Sequence, residues 1–498
     1  MRTTFTALLA AMLLVVAACG ETAPSPASTP TVSPAPTPTA AVTAAPPSSP
    51  SAAPPSPTPS PTPLPSAATP RPSTSPGAVA AASLPVQADA ASVTAALAPA
   101  PGGRLFVAVP AEKGTVLALL DPRGKVRRGW PVLLKGASGC ELDADPADGS
   151  VRAVCTVDKT VRAYALDASG RLMAGWPVDL PAGDVAALRL VDGDLYLLVG
   201  ETFLAVMPDG TVRTGPTVRT TTAWSSIGPD GTIYTKDNGA SAIMATTLDG
   251  VREGWPVRVS GWVSAPSFGP GGRIYVTVDS PEGWAATLSD SASDVIAFTS
   301  DGRTSIGWPV RIPIDTWRAC PEGACAPNPP VITSSGAAYI VAASGGTVAY
   351  MTGLTGDLRS GGWPFRSRAA LAAGVTSNCA CPCPGTCVCP ATITLPLAGP
   401  DDGLYLAQSV RGWGGGNRIV AITTSGRVKA GWPVTLTEKG AWFETFAVAD
   451  AGTVFGYAIE PAGTISDSCG GKSTTYSGTI VALDGHGDPI YTTTLVVP

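Results

Sequence analysis

The chain has 498 residues with 32 basic and 37 acidic side chains, a net charge of −5, 56 glycines, 51 prolines and a single histidine. So small a charge, with no basic patch or arginine-rich run, excludes electrostatic capture of nucleic acid. One histidine excludes histidine-rich zinc sites; it also leaves Ser-His-Asp chemistry a single base, His486, set in the turn Gly485-His486-Gly487, a poor place for catalysis.

Residues 1–19 read as an export signal: Arg2 supplies the positive charge, and the apolar run from Phe5 to Ala18 is too short to span a bilayer comfortably. The run ends in Val16-Ala17-Ala18-Cys19, which resembles a bacterial lipobox. The resemblance implies cleavage before Cys19, palmitate-type acylation of its thiol and new amino terminus, and stable membrane attachment through several acyl chains. Gly20 rather than Asp follows the cysteine. The expected location is therefore extracytoplasmic, on the outer membrane of a two-membrane bacterium or the outer leaflet of the plasma membrane of a one-membrane bacterium.

Residues 20–90 form the next segment, and from 21 to 76 almost everything is Pro, Ser, Thr or Ala, with Glu21 and Arg71 the only charges. Such a stretch has too little apolar area to offset the entropy of folding, so a disordered stalk is expected. Its proline favours extended polyproline II at about 3.1 Å per residue.

Residues 91–498 are organised by a recurring phrase. Gly-Trp-Pro-Val stands at 129–132, 175–178, 254–257, 307–310 and 431–434, and Gly-Trp-Pro-Phe at 362–365. Between these phrases each unit reads as four short strand-like runs joined by Gly-, Pro- and Asp-rich turns; in one unit the turns are Gly228-Pro229-Asp230-Gly231 and Asp249-Gly250. Four antiparallel strands per unit and a period of this size predict an all-β fold, a β-propeller of four-stranded antiparallel blades. Eight units are present, and seven blades result if one unit is an insertion. The third unit, with Gly215-Pro216-Thr217-Val218, and the eighth, with Asp488-Pro489-Ile490-Tyr491, lack the tryptophan. Proline cannot donate to a ladder, so the phrase is placed in the fourth strand, at the outer edge. Trp130, Trp176, Trp255, Trp308, Trp363 and Trp432 are placed between adjacent blades as structural docking residues.

Ile227-Gly228-Pro229-Asp230-Gly231-Thr232-Ile233-Tyr234 and Tyr164-Ala165-Leu166-Asp167 are similar to segments of the PQQ-binding-like, or quinoprotein alcohol dehydrogenase-like, β-propeller superfamily. Ala165, Asp167, Gly170 and Trp176 match its blade motif in order, and Ala482 and Asp484 match the first part, although the spacing from Gly170 to Trp176 is longer than the family's. The resemblance implies the propeller fold for residues 90–498. It also implies either a pyrroloquinoline-quinone (PQQ) dehydrogenase with calcium at the ring centre or a cofactor-free binding protein, such as the outer-membrane assembly lipoproteins. The enzymes' pair of adjacent cysteines is missing here, so no cofactor is the expectation and PQQ with calcium the alternative.

Ten cysteines follow Cys19, and an exported chain makes disulfides their expected state. Cys140 and Cys155 fall on neighbouring strands and are expected to pair. Cys320 and Cys325 flank a short loop; Cys379, Cys381, Cys383, Cys387 and Cys389 crowd one Pro-rich loop, and Cys469 makes their number even, with connectivity open. The Cys379–Cys389 loop is a candidate recognition element on one ring face. Asp143, Asp145 and Asp148 before Gly149 resemble a calcium loop, but Ala147 occupies a ligand position and the repeat predicts a polar turn there, as at Asp401-Asp402-Gly403. The function expected is non-catalytic binding or scaffolding at the cell envelope, with an envelope protein or glycan as partner. The alternatives are a PQQ-type dehydrogenase and a protein that binds or processes cell-wall glycan.

Overall fold

The computed structural model describes residues 82–85, 95–219, 225–236, 242–279, 292–313, 327–343, 347–371, 373–375, 391–393, 396–409, 417–436, 441–466 and 472–496. Among them there is no α-helix, only one 3-10 turn at Pro270–Gly272. The strands form eight antiparallel blades, spanning 96–135, 137–180, 185–217, 226–258, 262–312, 331–367, 370–435 and 442–496. A two-stranded ribbon, Ala373–Val375 with Ala391–Ile393, stands apart from them within the seventh blade's span. The first strand is broken in blade 5 into Trp262–Val263 and Ser267–Gly269, and in blade 7 into Ala370–Leu371 and Leu397–Ala398. Strand Ala82–Pro85, inside the segment read as stalk, pairs in parallel with Pro489–Val496 at the outer edge of blade 8.

The core is eight cores, one in each gap between neighbouring blades. Leu134, Ala153 and Leu166 meet between blades 1 and 2; Ala163, Leu197 and Val206 between blades 2 and 3. Leu105, Val107 and Leu120 of blade 1 meet Phe455, Ile480 and Tyr491 of blade 8, which closes the ring. Small and β-branched side chains suit both faces of each sheet because both are buried.

The repeated phrase is the joint between blades. In blade 1 the chain turns through Gly129 at φ 92°, a left-handed value that L side chains avoid. A Cβ on Gly129 would overlap the carbonyl oxygen of Ser169 in the next blade, and one on Gly170 would overlap the carbonyl of Gly129. Two backbones touch there, so both positions require glycine. The same overlap joins Gly175 to Asp209, Gly254 to Asp301, Gly307 to Thr355, Gly362 to Ser425 and Gly431 to His486. The tryptophans that follow are 6–8% exposed. Their indole N–H groups donate to the next blade's turn: Trp130 to Ala168, Trp176 to Pro208, Trp255 to Ser300, Trp363 to Thr424 and Trp432 to Gly485. Trp308 keeps the ring position, with no partner for its N–H among the described residues.

One detail departs from the sequence reading. All six Trp-Pro bonds are cis and lie before the fourth strand, whose pairing starts at the next residue, as at Val132 and Val178. The proline has no N–H to give a ladder, and the tryptophan is turned into the gap instead.

Within each such blade the indole also meets a side chain from the second strand. Phe106 packs edge-on against Trp130 with centroids 5.5 Å apart, and Tyr234, Tyr275, Tyr339 and Tyr405 occupy the same place in blades 4 to 7. Blade 2 puts Arg152 there, its guanidinium carbon 5.6 Å from the Trp176 centroid. Burial pulls the pKa of Arg152 down, against the opposing pull of Asp148 and Asp145. A cation over an indole face replaces the aromatic pair, which accounts for an arginine only 1% exposed.

Two joints lack the tryptophan. Between blades 8 and 1, Tyr491 lies against Gly124 and the Thr493 hydroxyl donates to its carbonyl at 2.9 Å. Between blades 3 and 4, Gly215 lies against Leu248, and Arg213 pairs with Asp249 at 3.3 Å on the exposed rim. The buried cluster at that joint has five described members, Leu198, Phe203, Val218, Ile227 and Ile233, where each other joint has ten or more.

Candidate functional site

The first strand of each blade pairs on one side only and contacts the first strands of neighbouring blades, so these strands surround the axis. Their unpaired backbone edges face the channel. All run in the same sense, which makes the two ends of the ring different. One end carries the turns between strands 1 and 2 and between strands 3 and 4, such as Ala144 to Val151 and Leu166 to Val178. The other end carries the turns between strands 2 and 3, such as Val157 to Thr160, and the links from each fourth strand to the next blade, such as Leu180 to Val185.

At the tight-turn end a cavity of about 670 Å³ opens at the channel mouth, bordered by blades 1 to 5 and 8. Asp143, Arg189, Ser225, Phe268, Pro99 and Asp450 are among its lining residues. Asp143 is the penultimate residue of the first strand of blade 2, and its Oδ2 accepts the backbone N–H of Leu190 in blade 3 at 2.8 Å. Burial pushes the Asp143 carboxyl up, and the Leu190 N–H and the charge of Arg189 oppose that rise. Arg189, on the first strand of blade 3, donates through Nη1 to the carbonyl of Ile227 in blade 4 at 3.2 Å. Its guanidinium carbon lies 5.9 Å from the ring centroid of Phe268 in blade 5. Burial lowers the Arg189 pKa, countered by Asp143 and Asp230. The Ser225 hydroxyl is withdrawn from solvent and has no partner among the described residues.

The wall of the mouth is thus a relay across four blades: carboxylate, guanidinium, aromatic ring. It offers fixed acceptors, fixed donors and one apolar face within a cavity in the size range of small-molecule sites, about 300–1,000 Å³. No single turn or motif contains it.

The acidic turn read beside a calcium loop caps itself. Asp145 Oδ1 accepts the Ala147 N–H at 2.8 Å and Asp148 Oδ1 the Ser150 N–H at 2.7 Å, while Asp143 is directed to the next blade. Asp401 pairs with Lys429 at 2.5 Å, and Asp402 accepts from Ser334 at 2.7 Å. His486 sits in its turn with its N–H on Asp484 Oδ1 at 2.8 Å, and its carbonyl touches Gly431. Cys140 and Cys155 form a disulfide across the first two strands of blade 2, as their placement predicts, with Cα atoms 4.1 Å apart. Cys19, Cys320, Cys325, Cys379, Cys381, Cys383, Cys387, Cys389 and Cys469 lie outside the described residues, as do the export signal and most of the stalk.

Calcium takes six to eight oxygens, and among the described residues no three Asp, Glu, His or Cys side chains come together around a common point. Arg189 stands beside the one carboxylate most deeply set in the wall.

No protein-family model matches the chain, and no curated protein sequence matches it. Solved structures similar to it include dihydro-heme d1 dehydrogenase NirN in complex with DHE, at 12% identity over 83% of this chain and 76% of that one, TM-score 0.46. A quinoprotein alcohol dehydrogenase-like protein from Bacteroides thetaiotaomicron matches at 12% identity over 79% of this chain and 82% of its own, TM-score 0.40. A streptogramin B lyase matches at 15% identity over 65% of this chain and 92% of its own, TM-score 0.39. These are β-propellers, and the likeness is one of ring architecture, from which no activity is carried over.

Proposed function

We infer that this chain is a lipid-anchored, extracytoplasmic β-propeller that works by non-catalytic binding at the cell envelope, with acylated Cys19 holding it to the membrane. The observation that supports binding is the channel mouth. Its carboxylate and its guanidinium are each fixed by a backbone group of the following blade, Asp143 by the Leu190 N–H and Arg189 by the Ile227 carbonyl. Groups held in this way present fixed geometry, which recognition requires. Buried cores between neighbouring blades stand behind them.

The anchor and the binding are tested separately. In a bacterium expressing the full chain, Cys19→Ser should abolish incorporation of labelled palmitate and release the protein from the membrane pellet. Retention in the pellet with unchanged labelling would refute the anchor. For binding, the intact protein is cross-linked on whole cells and its adducts compared with those of Arg189→Gln. A defined envelope adduct that weakens in the variant supports the reading; an adduct pattern indifferent to the substitution removes the channel mouth as its basis.

A further inference from the structure

We propose that the channel mouth binds a short neutral oligosaccharide, gripped between Asp143, Arg189 and the ring of Phe268. This inference rests on the binding reading above and names the ligand class.

The chemistry of the wall selects it. A hydroxyl is both donor and acceptor, and a carboxylate beside a guanidinium matches vicinal hydroxyls, one side accepting and the other donating. Asp143 accepts the Leu190 N–H through Oδ2 and also the backbone N–H of Ala144, which leaves lone pairs of the carboxylate for a guest, and Arg189 places one of its nitrogens on the Ile227 carbonyl. Five N–H groups on a guanidinium leave further donors beyond that one. Phe268 is half-buried in the same wall and, with Pro99 and Pro266, gives an apolar surface suited to the C–H face of a pyranose ring.

Charge argues against the other ligand classes. A polyanion drawn to Arg189 meets Asp143 and Asp450, which line the same cavity. A polycation drawn to the two carboxylates meets Arg189. A neutral polyol meets neither penalty. At about 670 Å³ the mouth has room for a few sugar rings.

The test uses the full chain extracted in detergent and saturation-transfer NMR with cellotriose, maltotriose and chitotriose as neutral probes, citrate as the anionic probe and spermidine as the cationic one. At least one trisaccharide is expected to receive saturation at its ring protons. Phe268→Ala should weaken that binding about tenfold or more, and Asp143→Asn, which keeps an acceptor for Leu190, should weaken it with the near-ultraviolet circular dichroism unchanged. Silence from all three sugars, or binding indifferent to both substitutions, overturns the proposal. Binding of citrate or spermidine alone, lost in Arg189→Gln or Asp143→Asn respectively, overturns the sugar assignment and leaves the binding-module reading standing.

Discussion

Asp143 is a carboxylate that the fold holds against its preference for water. Its pKa is raised by burial, so the folded state keeps the proton to a higher pH than the unfolded chain does. The stability this group contributes is present below the ordinary carboxylate pKa and is lost as pH rises through the folded value. Asp143→Asn, which retains an acceptor for the Leu190 N–H, should therefore gain in Tm relative to the native protein at pH 7 and lose that advantage below pH 4. Thermal melts across that range check it, and a constant difference would refute it. The Cys140–Cys155 bridge closes a sequence separation of 15. Replacing both cysteines by serine should cost about 3 kcal/mol in urea unfolding, the loop-closure value for that length. That pairing was legible because the two residues fall on neighbouring strands of one unit. The role of Asp143 was not legible: its neighbours in sequence suggest a turn or a cation loop, while its partner Leu190 lies in the next blade.

At the scale of the element, glycines inside and outside the Gly-Trp-Pro joint meet unequal demands. Gly175→Ala drives a methyl group into the carbonyl of Asp209, whereas a methyl on Gly139 meets nothing within 4 Å. The first substitution should cost about 3 kcal/mol, strain and overpacking together. The second should cost about 1 kcal/mol, for the left-handed backbone alone. Equal losses in chemical denaturation would argue against the backbone contact. Trp255→Ala removes a buried indole and its bond to Ser300, with an expected loss of about 3–5 kcal/mol. The outer half of six blades was readable because their turns need Gly, Asp and Pro at set places and the phrase repeats, while blades 3 and 8 keep the turns without the phrase. The inner half was not. First strands carry no phrase, two of them are interrupted, and their side chains answer to neighbours one or two blades away.

At the scale of the molecule, the six tryptophan joints are not evenly spread. They tie blades 1 to 3 into one arc and blades 4 to 8 into another, and the arcs meet at two joints of different make. The 8–1 joint has the Tyr491 ring and the Thr493 bond, while the 3–4 joint has the smallest buried cluster among the described residues. Native-state hydrogen exchange should accordingly find openings at lower free energy for amides of blades 3 and 4 than for those of blades 6 and 7. Uniform protection around the ring would refute the ranking. The phrase counts blades well, but its absence from the third unit does not reveal what replaces it.

The channel mouth lies across that thin joint, with Asp143 and Arg189 on the short arc and Ile227 and Phe268 on the long one. A guest seated there acts as a clasp between the two arcs. Its affinity and the stiffness of the wheel are thermodynamically coupled, so whatever fills the mouth also fastens the seam.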